Sequence, residues 1–228
     1  MHPDFWHERW RTKQIGFHEG KPNDDLVAVW PRLGLRSGVR VLVPLCGKTH
    51  DLQWIHARGH QVVGVELSEL ACAAFFAEHS LTPSVEKAGP YQSWSVPGLT
   101  LLQGDVFDLP ETDPFDVVWD RAATVALPDD LRRRYANKLA HVTRPGGTLL
   151  LSVFVYPQSE RAGPPFAVPP EHVEALFGEN FHIERQHRPA DPSVEADMTR
   201  LKVSRASIDL YWLTRSARPA SPPPSLPG

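Results

Sequence analysis

Residues 38–66, GVRVLVPLCGKTHDLQWIHARGHQVVGVE, constrain the fold most, because they read as strand, tight loop, helix and strand. Val39-Arg40-Val41-Leu42-Val43 is a short β-branched run, and Pro44-Leu45-Cys46-Gly47-Lys48 stops it. Leu52, Trp54 and Ile55 fall on a helical segment that ends near Gly59. Gln61-Val62-Val63-Gly64-Val65 is a second apolar run, and it closes on Glu66. Strands this apolar suit a parallel sheet covered on both faces, so the stretch is one βαβ unit of an α/β fold.

Glu66 gives the unit a meaning. In open α/β sheets ligands bind outside the carboxyl ends of the strands, where the strand order reverses. A carboxylate there, about 20 residues after the loop, can accept hydrogen bonds from both hydroxyls of a ribose. The alternative is an ordinary βαβ unit whose second strand ends in Glu. Gly47-Lys48-Thr49 resembles the end of a phosphate loop, but the first glycine of that motif would fall on Leu42, and Pro44 removes an N–H that a phosphate cradle would use. The dinucleotide fingerprint G-x-G-x-x-G is absent as well. A ligand with adenosine and no pyrophosphate fits better, and S-adenosylmethionine (SAM) is one.

The 228 residues are 41% hydrophobic, enough for one α/β domain with a substantial core. A net charge of −3 gives no basic footprint for nucleic acid. No apolar run approaches a membrane span and the first residues contain no signal-peptide core, so no membrane partner is expected. Two cysteines, Cys46 and Cys72, make neither a disulfide framework nor a metal site, and a cytoplasmic, reduced monomer is the expectation.

Residues 1–38 form an N-terminal extension rich in large apolar groups. Trp6 and Trp10 are four apart and share a face if the segment is helical. Asn23 or Asp24 can cap a second helix over residues 25–33. The extension either packs statically or forms a lid in which Trp10, Phe17 and His18 cover the ligand; a sulfonium beside aromatic faces is favoured by cation–π attraction. Beyond Glu66, Ser68 caps a helix to about His79, and residues 88–98 read as irregular. Leu99-Thr100-Leu101-Leu102-Gln103 is the third strand. Asp105, just past it, either accepts from the amine of adenine or bonds its own backbone in an Asx-turn. Phe115-Asp116-Val117-Val118-Trp119 is the fourth strand, running into Asp120-Arg121. Arg121 then faces the crevice or is a solvated charge. Residues 128–141 are helical, Arg144-Pro145-Gly146-Gly147 is a tight turn, and 148–155 are the fifth strand. A proline-rich loop follows, then a helix over 171–177 and an antiparallel edge pair over 181–186 and 208–214. Residues 216–228 read as a disordered Pro-rich tail after a single domain of residues 1–215.

Together these motifs resemble one family. Pro44-Leu45-Cys46-Gly47-Lys48, Gly64-Val65-Glu66-Leu67-Ser68-Glu69, Phe107-Asp108-Leu109-Pro110, Trp119-Asp120-Arg121, Gly163-Pro164-Pro165-Phe166 and the Trp10–His18 stretch are similar to the bacterial branch of the thiopurine S-methyltransferases. The resemblance covers about residues 4–214. It implies a seven-stranded, mostly parallel, Rossmann-like methyltransferase sheet with helices on both faces and an N-terminal lid. It implies SAM contacts at Trp10, Leu45, Glu66, Asp105, Val106 and Arg121, and acceptor contacts at Phe17, Arg121, Pro165 and Phe166. The acceptor would be a small thiol or selenol, and the branch is associated with selenium and tellurium methylation. A second substrate-side arginine could be Arg188, Arg200 or Arg205.

Transfer to a soft, readily ionised sulfur needs alignment more than a strong base. No catalytic base is therefore assigned, and Asp120 and His18 stand only as weak candidates. The runner-up is a methyltransferase for a small oxygen or nitrogen acceptor. An NAD or nucleotide-sugar enzyme lacks its glycines here, and a SAM-binding protein without catalysis is a further reading.

Overall fold

A computed structural model describes residues 3–186, 199 and 202–217. Its centre is a single nine-stranded sheet. In chain order the strands are β1 (Arg40–Pro44), β2 (Gln61–Glu66), β3 (Ser84–Ala88), β4 (Tyr91–Val96), β5 (Leu99–Gln103), β6 (Phe115–Arg121), β7 (Thr143–Val155), β8 (Phe181–Gln186) and β9 (Ser207–Arg215). Across the sheet they lie β3-β4-β5-β2-β1-β6-β7-β9-β8. The five strands from β5 to β7 are parallel neighbours.

Two strands more than expected come from one place. Residues 88–98, read as irregular, lie mostly in an antiparallel hairpin of β3 and β4 that joins the sheet beside β5. β3 is exposed along its whole length, so it lacks the apolar alternation that marks a half-buried strand. The turn expected at 144–147 is instead a bulge within β7: Thr143 sits opposite Phe115 but Thr148 opposite Val117. The expected antiparallel pair of 181–186 and 208–214 is present at one end of the sheet as β8 and β9, with β9 also bonded to β7 and β8 outermost.

The helices are α1 (Pro3–Arg11), α2 (Asp24–Val29), α3 (His50–His56), α4 (Glu69–Glu78), α5 (Asp129–Val142) and α6 (Pro170–Phe177). Successive strand residues feed opposite cores, as the two-residue period requires. Leu42, Val118, Leu149 and Leu151 pack with α5 and α6; Val41, Val43, Val117, Trp119 and Leu150 pack with α2, α3 and α4. Asn23 caps α2 by accepting from the N–H groups of Asp25 and Leu26, and that helix is shorter than expected, because Trp30–Leu33 tighten into a 3-10 turn. Among the described residues, no helix is long and apolar enough to cross a membrane.

The strand order reverses between β1 and β6. β1 leads through α3 to β2 on one side, while β6 leads through α5 to β7 on the other. A crevice therefore opens at the carboxyl ends of β1 and β6, which deliver Leu45 and Arg121 to its two walls.

Candidate functional site

A cavity of about 320 Å³ fills that crevice. Its floor comes from strand ends: Leu45 and Cys46 after β1, Glu66 closing β2, Asp105 and Val106 after β5, and Arg121 closing β6. Its roof comes from the N-terminal segment, through Trp6, Trp10, Phe17, His18 and Glu19.

The loop after β1 bends by placing two residues in left-handed backbone, Leu45 at φ 48° and Gly47 at φ 54°. A leucine there is strained, a cost tolerated mainly where surrounding structure holds it. Gly47 is required on a second count. A Cβ on it would lie 3.1 Å from Cζ2 of Trp10, so the buried Trp10 ring rests directly on the loop.

Glu66 is buried, and its two oxygens each accept a backbone bond of 2.8 Å, one from Gly47 N–H and one from Ser68 N–H. Burial pushes its carboxyl above the usual range, opposed by the backbone N–H groups of Ser68, Gly47 and Leu67. A carboxylate has about four lone-pair positions. Two are taken here, and they fix its orientation while leaving acceptor capacity towards the cavity.

Asp105 makes the Asx-turn: its Oδ1 accepts from Phe107 N–H at 3.0 Å, and its carbonyl accepts from Tyr91 OH at 2.7 Å. Its carboxylate is nonetheless exposed on the cavity wall, beside buried Val106. Arg121 is not a solvated charge. Its Nη1 donates to the Phe17 carbonyl at 2.8 Å and its Nη2 is ion-paired with Glu19. Phe17 in turn meets Trp6 and Trp10 edge-on, with 5.8 Å between ring centroids in each case.

Two residues that sequence reasoning passed over, Glu19 and Asp51, bind the roof to the floor. Glu19 pairs with Arg121 and also accepts from Asn23 Nδ2 at 3.2 Å. Asp51, buried on α3, accepts from Asn23 N–H at 2.7 Å and from the Trp119 indole at 2.8 Å. Apart from the Asn23–Glu19 contact, these partners lie 28 to 102 positions apart in the chain, and no local pattern announces such pairs.

Other expectations move. Asp120 is fully buried, and its oxygens accept from Thr124 N–H, Thr124 OH and Tyr135 OH at 3.0, 2.6 and 2.9 Å. It anchors the turn after β6 and does not line the cavity, so it is no base. His18 does line it, stacked on His50 at 5.7 Å. Burial first, then the charge of Lys48, holds its imidazole below the usual value. Pro165 lines the cavity, but Phe166 turns away into a second hollow, where Arg132 lies 5.4 Å from its ring. The Phe166 N–H bonds to Val125 O at 2.7 Å, which fixes it there. Arg205 borders that second hollow too, whereas Arg188 and Arg200 lie outside the described residues, as does most of the expected tail.

Known proteins resemble this chain throughout. The family profile described as thiopurine S-methyltransferase matches residues 1–216. A thiopurine S-methyltransferase of Xanthobacter autotrophicus is 52% identical over 186 residues, covering 80% of this chain and 87% of that protein. One from Pseudomonas syringae pv. tomato is 41% identical over 222 residues, covering 96% of this chain and 100% of that one. Among solved structures, the 1,6-didemethyltoxoflavin-N1-methyltransferase of Burkholderia thailandensis, with 1,6-didemethyltoxoflavin and S-adenosylhomocysteine bound, matches with a TM-score of 0.62 at 16% identity. That match covers 94% of this chain and 87% of that one, and shows likeness of fold alone.

Proposed function

The chain belongs to the thiopurine S-methyltransferase family, and from that membership we propose that it methylates the sulfur, or the selenium or tellurium, of a small acceptor. SAM is the cofactor of this methyltransferase. When bound, it supplies an electrophilic methyl group on a sulfonium. The cavity fits such a group. Glu66 has acceptor capacity left for two ribose hydroxyls, Asp105 can accept from the adenine amine, and Leu45 and Val106 offer apolar contact. The Trp10 ring over Gly47 is suited to a sulfonium through cation–π attraction.

One observation carries the choice of acceptor. Arg121 brings a cation to the cavity wall that also carries Phe17, Phe154, Leu127, Pro164 and Pro165. A nearby cation favours the ionised form of an acceptor. Thiols ionise not far above neutral pH, near 8.5 for a cysteine side chain, and aromatic thiols and selenols more easily. Such an acceptor needs no strong base, and Asp120 is buried away from the cavity and held there by three bonds. The enzyme's work is then to align the acceptor, exclude water and keep it charged. The second reading, an oxygen or nitrogen acceptor, rests on His18, which lines the same cavity; its lowered basicity counts against it.

The test is a turnover screen with SAM across thiols, selenols, catechols and amines. Faster methylation of aromatic thiols and selenols is the expected result, and faster transfer to a catechol or an amine would overturn the reading. Cys46 and Cys72, both buried free thiols, suit a reducing compartment.

The N-terminal segment is read as a lid. Polar attachments to the body run from Arg121 to Phe17 and Glu19, and from Asp51 to Asn23. Amide exchange over residues 4–20 is expected to slow at least tenfold when S-adenosylhomocysteine binds, because a ligand stabilises the state it contacts. Equal protection with and without ligand would make the segment static packing.

A further inference from the structure

We propose that Glu19 determines acceptor specificity as an internal competitor for Arg121, so that an acceptor gains the full attraction of that arginine only by arriving as an anion and displacing the Glu19 carboxylate. The inference rests on the reading of Arg121 given above and deepens it.

Glu19 and Arg121 form an ion pair in the cavity wall, with side chains 39% and 20% exposed. A charge-assisted pair that is partly shielded from water is stronger than a surface pair. While it stands, an entering group meets a cation already neutralised. A neutral acceptor cannot compete for the guanidinium and leaves the pair intact. An anion can replace the carboxylate at the guanidinium, because Arg121 then keeps one anionic partner.

The neighbours of Glu19 allow this exchange. Its second oxygen already accepts from Asn23 Nδ2 at 3.2 Å. Asn23 is itself fixed, since its N–H donates to Asp51 and its side-chain oxygen caps α2. A displaced carboxylate therefore keeps one donor. Gly20 follows directly, and no atom lies within 4 Å of where its Cβ would be, so that side of the backbone is open. Arg121 keeps its bond to the Phe17 carbonyl, and the roof stays attached while Glu19 moves.

Glu19→Gln tests the idea, because it retains the shape and a carbonyl for Asn23 but removes the charge. Titration calorimetry on protein saturated with S-adenosylhomocysteine compares two probes near neutral pH. One is a polyfluorinated thiophenol, ionised under these conditions; the other is cyclohexanethiol, still protonated. Glu19→Gln is expected to tighten the ionised probe about tenfold and to leave the protonated one within about twofold. Thermal midpoint and S-adenosylhomocysteine affinity serve as controls for folding. Equal affinity of wild type and variant for the ionised probe overturns the proposal. Parallel weakening of both probes also overturns it, because Glu19 then only holds the roof. Failure of both probes to bind either protein overturns the acceptor reading itself, and the proposal with it.

Discussion

Glu66→Ala is expected to weaken SAM binding by about 3 kcal/mol, on the order of a hundredfold, as measured by titration calorimetry. Two losses add. The ribose hydroxyls lose a charged acceptor, and the N–H groups of Gly47 and Ser68 lose theirs. The second loss loosens the strained turn at Leu45, which shapes the cavity floor. Glu66→Gln separates the two effects. Its amide retains one oxygen, but its NH₂ must face one of two N–H donors, so it should recover only part of the affinity. Global unfolding is not the expected route of failure. Burial raises the folded-state pKa of Glu66, and a raised carboxyl contributes stability that is fully present below the unfolded pKa and is lost as pH rises through the folded one. At neutral pH the buried charge is thus a cost to the ligand-free fold, and its removal offsets part of the lost bonding. Affinity within threefold of wild type would sink the ribose assignment.

Arg121→Met is expected to have the second large effect, on turnover at saturating SAM. An opposite charge within about 4–6 Å lowers an acid's pKa by roughly 1–3 units. Without Arg121, the rising limb of the pH–rate profile should move up by about one unit for an aromatic thiol of known acidity. Glu19 would then stand in the cavity wall without its cation, which raises the acceptor's pKa further. Arg121→Lys keeps the charge without the planar fork and should retain more activity. Combining Arg121→Met with Glu19→Gln should return part of the lost rate, and the double-mutant cycle would measure their coupling. If the limb of Arg121→Met stays where wild type has it, Arg121 does not tune the acceptor.

Much of this site was legible because it sits at strand ends. Glu66, Asp105 and Arg121 each end or follow an apolar run, and the α/β rule converts that position into a place in the crevice, whereas Leu45 was named only through the family resemblance. The β3–β4 hairpin was not legible, because a strand exposed on both faces has no apolar period to read. Gly89-Pro90 between the two strands was the available clue. Phe166 was misplaced for another reason. Pro165 and Phe166 are neighbours, yet the backbone bond to Val125 turns one into each hollow. Glu19 and Asp51 depend on partners that only the finished sheet and its roof bring near.

The place of β9 bears on how the chain can be assembled during synthesis. Domains tend to form from their amino-terminal side as they emerge from the ribosome, at about 5–20 residues per second. Here β1, β2, β5, β6 and β7 can complete the parallel centre as they appear. β8 cannot join them, because among the described residues its one sheet neighbour is β9, which is made later and lies between β8 and β7. Until β9 arrives, the flank of β7 is bare and β8 has no ladder. The right-hand part of the sheet is thus closed by the late insertion of one strand between two earlier ones. Arg215, at the end of that strand, then reaches back to the carbonyls of Ala140 and Asn180 and ties the last-made strand to the earlier α5 and to the approach to β8.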